Sequence, residues 1–188
     1  MSAPTASSAL LACASFLVRE RDLARADAPF THVKLGILLY YAQSWHLAIH
    51  AAKLFQDRFR AYWAGPILPS LLESAGAMSE GAEWSPVRRD SFGGDDAIDE
   101  ASRSTLWQIL NSYGELGSGR LCDLARREAP WREARNGLPP CTPLGGQISE
   151  ASMATAIEIW KNDDGELSLV ERMERHARTA FVAKESKR

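Results

Sequence analysis

The sequence predicts a mainly α fold: a single compact helical domain with a buried central helix and at most a small β-hairpin. Three observations carry this. From His32 to about His50 the chain is apolar around most of a helical circumference, which suits a helix covered on several sides. Several further stretches repeat apolar residues at helical spacing, whereas only Arg58 to Trp63 alternates as a short strand does. At 188 residues the chain is long enough for one well-buried core and short for two domains. The expected division is a domain over residues 1–165 and a C-terminal amphipathic helix with a charged tail over 166–188.

Ser7 to Glu20 places Leu10, Leu11, Ala14, Phe16, Leu17 and Val18 on one face of a first helix. Thr31 is a good N-cap for the central helix. On that helix His32, Gly36, Gln43, His46 and His50 fall in one arc of roughly 80°, either a wet edge or the seat of a neighbour. The aromatic strand ends where Gly65-Pro66 forces a turn, and Pro69 fits the first turn of a short helix stopping near Gly76. Ala77 to Asp96 loses all periodicity and reads as a long, mobile surface loop. Helical spacing returns from Ile98 to Tyr113 and ends at Gly114; Asp95-Asp96 and Asp99-Glu100 suit the positive end of its dipole. Ser118 can cap a short helix carrying Leu121, Leu124 and Ala125, and Pro130 admits another turn through Trp131 and Ala134. Asn136-Gly137 breaks that turn, and Leu138 to Gln147, with three prolines, reads as an irregular connector. Ser149 caps a helix carrying Met153, Ala156, Ile157 and Trp160, closed by Asp163-Asp164-Gly165. The last stretch, Glu166 to Lys184, sets Leu167, Val170, Met173, Ala177 and Phe181 on one face.

Composition narrows the function. Twenty-two Lys and Arg against 24 Asp and Glu give a net charge of −2, so no overall positive charge exists to neutralise a phosphate backbone, and nucleic acid is an unfavoured partner. No apolar run reaches the ~18 residues of a membrane span, and Met1-Ser2-Ala3-Pro4 does not begin a signal peptide. A cytoplasmic protein with no membrane partner is the expectation. Cys13, Cys122 and Cys141 lack the paired short intervals of a zinc site and read as reduced structural thiols.

Catalytic and cofactor motifs are weak. His46 and His50 share a helix face, but no third ligand and no His-Glu-x-x-His order accompanies them, so they read as local hydrogen-bonding groups. Serines are plentiful, yet no Gly-x-Ser-x-Gly elbow presents one as a nucleophile. Gly93-Gly94, Gly145-Gly146 and Gly117-Ser118-Gly119 lack the order and context of a phosphate loop. The acidic run does not alternate as a calcium loop does. No cofactor or metal is therefore expected. Arg126-Arg127 and Arg132-Arg135 read as solvated basic clusters. Aromatics remain: Tyr40 and Tyr62 suit a core, Trp45 and Trp63 a boundary where the indole N–H finds a partner, and Trp84 and Phe92 stand in the polar loop as candidate partner anchors.

Three ordered blocks resemble the Panacea antitoxin domain of the SocA-like family. Leu35, Leu38 to Gln43 (with Tyr40 and Tyr41) and Trp45 to Leu47 fit its Leu-x-Lys-Leu-Leu-Tyr-Tyr-Ala-Gln-Gly-Trp-His-Leu block, with Ile37 where the lysine usually stands and Gly36 at a commonly polar position. Ala61, Gly65, Pro66, Pro69 and Leu71 fit a Gly-Pro-apolar-apolar-Pro block, with Tyr62 at its aromatic position. Pro130, Trp131, Ala134 and Arg135 fit a third, although Ala125-Arg126 replaces a frequent Thr-His. The resemblance spans about Phe30 to Trp160. It implies a mostly helical, non-enzymatic domain from bacterial or phage-associated type II toxin–antitoxin pairs that neutralises a cognate toxin protein by binding it. One member also acts as an adaptor delivering its toxin to a protease.

The leading expectation is thus an antitoxin with partner-binding residues among Tyr41, Gln43, Trp45, His46, Trp63, Trp84, Phe92 and Trp131, specificity in Ala77 to Asp96 and Glu166 to Arg188, and a homodimer compatible with it. The alternative is a small-molecule sensor or enzyme walled by His32, Gln43, His46 and His50 beside Tyr41. A DNA-binding autorepressor is a third reading, weakened by the net charge.

Overall fold

The protein is described by a computed structural model covering residues 5–23, 30–88, 91–93, 98–140, 142–161 and 168–182. Helix α1 (Ser8–Leu23) and helix α2 (His32–His50) lead into strands β1 (Arg60–Tyr62) and β2 (Gly65–Ile67). Helices α3 (Pro69–Ser74), α4 (Glu100–Tyr113), α5 (Ser118–Arg127) and α6 (Ala129–Ala134) follow, then β3 (Leu144–Gln147), α7 (Glu150–Lys161) and α8 (Leu169–Val182). The mainly α expectation holds, with a small antiparallel sheet beside the helices.

Helix α2 begins at Thr31, whose Oγ1 accepts the Lys34 N–H at 3.1 Å, and ends where Ala51 turns left-handed at φ 51° and donates its N–H to Leu47. Leu35 and the run from Ile37 to His46 are buried, because α1, α4, α5, α7 and β2 all pack around this one helix. Phe16, Leu17, Leu106, Ile109, Leu121, Met153 and Met173 bring the other helices into the same core. Helix α8 lies against α4, α5 and α7 with Met173, His176 and Ala177 buried, while Val170 is exposed.

In the sheet, ordered β2-β1-β3, β1 pairs antiparallel with both neighbours, Ala61 opposite Pro66 and Arg60 opposite Gln147. Gly65 turns the hairpin at φ +151°, a backbone state that other residues rarely adopt. The third strand was not legible: Leu138 to Gln147 looks irregular because its prolines dominate, and pairing depends on a glycine instead. A side chain at Gly145 would bring Cβ to 2.8 Å from the Ala61 carbonyl and 3.1 Å from that of Ala134, so only glycine lets β3 lie against both.

Other differences are local. Gly117, not Ser118, occupies the N-cap of α5, and the Ser118 hydroxyl instead meets that of Thr31 at 3.3 Å. The expected surface loop after Ala77 is partly tied down: a 3₁₀ turn spans Ala82–Trp84, Pro86 bridges Thr31, and the Val87 N–H donates to Phe30 at 2.7 Å. Phe92 is therefore not an exposed anchor. It is 5% exposed and joins the core, where the Ser15 hydroxyl pins the neighbouring Gly93 carbonyl to α1. Arg135 is likewise not solvated: its guanidinium donates to the carbonyls of Ala61, Pro139 and Thr142 and holds the connector in place. Asp95-Asp96, Cys141, Asp163-Asp164-Gly165 and the end of the chain beyond Val182 lie outside the described residues, as does the Phe181 side chain.

Candidate partner-binding surface

The residues of the first sequence block build an internal polar lattice. The junction between α5 and α6 places Glu128 beneath α2, where Oε2 accepts the Tyr40 hydroxyl at 3.1 Å and Oε1 accepts the Tyr41 hydroxyl at 2.9 Å. His176 of α8 reaches the same carboxylate with Nε2 at 3.0 Å. Its Nδ1 lies 2.7 Å from the Tyr113 hydroxyl of α4, whose oxygen accepts the Trp45 indole N–H at 2.9 Å. These contacts are satisfied when Nε2–H of His176 donates to Glu128 and Nδ1 accepts from Tyr113. Burial, reinforced by the Glu128 charge, pushes the Tyr40 and Tyr41 phenols far above their ordinary pKa, and burial does the same to Tyr113. All three stay neutral donors, which suits a fastener of helices.

The polar arc on α2 is divided among three neighbours instead of walling one pocket. His32 Nδ1 lies 3.1 Å from the Ser85 carbonyl; Gln43 donates to Phe55 O at 3.1 Å and accepts the Leu54 N–H at 2.9 Å; His46 Nδ1 meets Thr105 Oγ1 at 3.0 Å. His50 lies exposed at the end of the helix, its ring 4.4 Å from that of His46. Gln43 thus clips the turn after α2 onto the helix. Replacing it with alanine should cost about 2 kcal/mol of unfolding free energy through two stranded backbone groups, readable as a lower urea midpoint.

Burial lowers the pKa of both His32 and His46, helped at His46 by the neighbouring His50. A histidine held neutral in the fold binds fewer protons than in the unfolded chain. Its contribution is complete above the unfolded value of ~6.5 and declines as pH falls from there toward the depressed folded value. Urea midpoints measured from pH 7.5 down to pH 5.5 should therefore fall, and should fall less in His46→Asn.

Cys13 and Cys122 are poor nucleophiles: burial, with Asp99 adding to it, pushes Cys13 up to about 12, and burial pushes Cys122 up to about 11. Among the described residues no group of three or more His, Cys, Asp or Glu side chains could hold a metal, and no helix is long and apolar enough to cross a membrane.

The outer face is different. Along β1, β3 and the segment after α3 runs an open groove of about 720 Å³ whose walls include Tyr62, Trp63, Ile67, Met78, Pro143 and Leu144. Trp63 is 44% exposed and Met78 58% exposed, and the Trp84 indole stands 6.3 Å from that of Trp63. Trp131 supports the groove from behind, its indole N–H donating to the Tyr62 carbonyl at 2.9 Å while Arg135 covers its ring at 5.4 Å. Of the candidate partner residues, Trp63 lines the groove, Trp84 stands exposed beside it next to Trp63, Trp131 is half-buried, and Tyr41, Gln43, Trp45 and His46 face the interior and offer no surface in this conformation. Reading the sequence alone missed Glu128, Tyr113 and His176, since nothing local marks a glutamate between two helices as the centre of a lattice. It also missed Met78 and Leu144, which become neighbours only when β3 closes the sheet.

The class so defined is a helical domain whose interior polar groups are committed to its own packing and whose outside carries an aromatic groove. Within that class, the model of the family described as antitoxin SocA-like, Panacea domain, matches residues 37–132, more than half of the chain. The chain belongs to this antitoxin-type family. No curated protein and no solved structure matches it.

Proposed function

We propose that this protein is the antitoxin of a bacterial or prophage type II toxin–antitoxin pair, acting in the cytoplasm by seating its cognate toxin in the Trp63 groove and covering the toxin's working surface. Membership of the antitoxin-type family carries this reading. The groove supports the placement, because exposed aromatic and methionine side chains around a concavity are what protein interfaces use as anchors. The motif residues support it from the other side: Tyr40, Tyr41, Gln43 and Trp45 are occupied inside and leave binding to the surface. No catalytic group is required, since neutralisation by occlusion needs affinity alone.

The test is expression of the adjacent toxin reading frame in bacteria with and without this chain, following growth and co-purification. Restored growth with a stable complex is the expected result. Restored growth with the toxin vanishing, and its level recovering in a protease-deficient strain, would instead make the chain an adaptor for degradation. Toxicity undiminished by well-expressed antitoxin would overturn the proposal.

A further inference from the structure

We infer that the toxin segment seated in the groove is apolar and carries an arginine or lysine, held between the Trp63 and Trp84 indoles and the carboxylates of Glu80 and Glu83. The inference rests on the reading of this groove as the toxin-binding surface.

Its basis is the charge of the lining. Glu80 and Glu83 are the charged side chains of the groove wall, and no lysine, arginine or histidine is among its residues. Glu83 is 6% exposed, with Oε1 accepting the Tyr62 hydroxyl at 2.8 Å, so a buried carboxylate already sits in an apolar wall. Any partner that fills the groove strips the remaining water from both carboxylates. A purely apolar or acidic segment would leave those charges unpaired in a dry interface, whereas a guanidinium or ammonium supplies the missing donors. The aromatic groups favour the same sign. Tyr62 and Trp63 stand 5.6 Å apart and Trp63 and Trp84 6.3 Å apart at 46°, presenting ring faces whose quadrupole attracts a cation. Arginine suits the site best, because a planar guanidinium stacks on an indole while its edge donates to a carboxylate. The flanking Ile67, Met78 and Leu144 supply the apolar contact on either side.

Random-peptide phage selection on the full-length chain tests this without knowledge of the toxin's sequence. Three targets are compared: wild type, Trp63→Ala/Met78→Ala, and Glu80→Gln/Glu83→Gln, where the amide oxygen at 83 still accepts from Tyr62. Circular dichroism and urea midpoints establish that each is folded. The expected result is a set of binders lost on the tryptophan–methionine variant, rich in Leu, Ile or Phe next to Arg or Lys. Their affinity should drop ~10-fold or more on the glutamine variant and fall with salt on wild type. Groove-dependent binders with no excess of basic residues, or with affinity unchanged by the glutamines, would overturn the inference and leave the groove reading standing. Binders indifferent to Trp63 and Met78 would overturn the groove reading itself.

Discussion

Replacing Glu128 with alanine is expected to remove about 3–5 kcal/mol of unfolding free energy, enough to consume a large share of the ~5–15 kcal/mol typical of a domain. The carboxylate is the common acceptor for Tyr40 and Tyr41 of α2 and His176 of α8, and its side chain is only 13% exposed. Alanine removes the carboxylate acceptor from two buried phenols and an imidazole, and of these only Tyr40 has another hydroxyl, that of Ser44, beside it. Each stranded donor carries a desolvation penalty of about 1–3 kcal/mol, although the three relax together and do not simply add. Glu128→Gln should fall between, because an amide offers one accepting oxygen where the lattice asks for two. Tyr41→Phe should cost less than either, since it deletes a donor and leaves the carboxylate two of its three partners. Urea unfolding of the three variants checks the order. A loss under about 0.5 kcal/mol for Glu128→Ala would place the site among ordinary surface substitutions and would mean that apolar packing alone joins α8 to α2.

That lattice also explains which parts of the molecule could be read from its sequence. Helix α2 was legible because burial on several sides leaves a local trace: an apolar stretch begun by a capping threonine. The arc of His32, Gln43 and His46 was equally visible, but its meaning was not, since a wet edge and the seat of neighbours give the same pattern on one helix. The partners settle it, and they are Ser85, Phe55 and Thr105, residues 12 to 59 positions away. Phe92 shows the reverse case. A phenylalanine among Ser, Gly and Asp looks exposed until the chain folds its segment against α1, a contact with no local periodicity.

The three blocks that resemble the family are likewise mostly architecture. Tyr40 and Tyr41 hold Glu128, Gly65-Pro66 turns the hairpin, and Trp131 with Arg135 clamps β1 to the connector. They therefore reveal the fold and say little of the partner. The groove is assembled from positions contributed by β1, β3 and the segment after α3, and no sequence window contains it.

The second large effect belongs to that groove. Trp63→Ala is expected to weaken the proposed toxin complex by about 2 kcal/mol or more, roughly 30-fold in Kd, while leaving the urea midpoint nearly unchanged. The separation follows from geometry: the Trp63 side chain is 44% exposed and touches Tyr62 and Trp84 at ring-centroid distances of 5.6 and 6.3 Å, so the core loses little when it is cut back. Tryptophan dominates interfaces because a large rigid ring excludes water from its neighbours at small entropic cost, and a partner seated over Met78 and Leu144 would bury the half of this ring that is now open. Trp107 on α4 supplies an internal control. It is also 44% exposed and lies outside the groove lining, so Trp107→Ala should leave Kd within about twofold of wild type. Calorimetric titration of the toxin against both variants distinguishes the surfaces. Binding lost in Trp107→Ala and kept in Trp63→Ala would move the interface to α4, whereas losses of equal size would mean that the toxin spans both faces and that the groove is only part of its footprint.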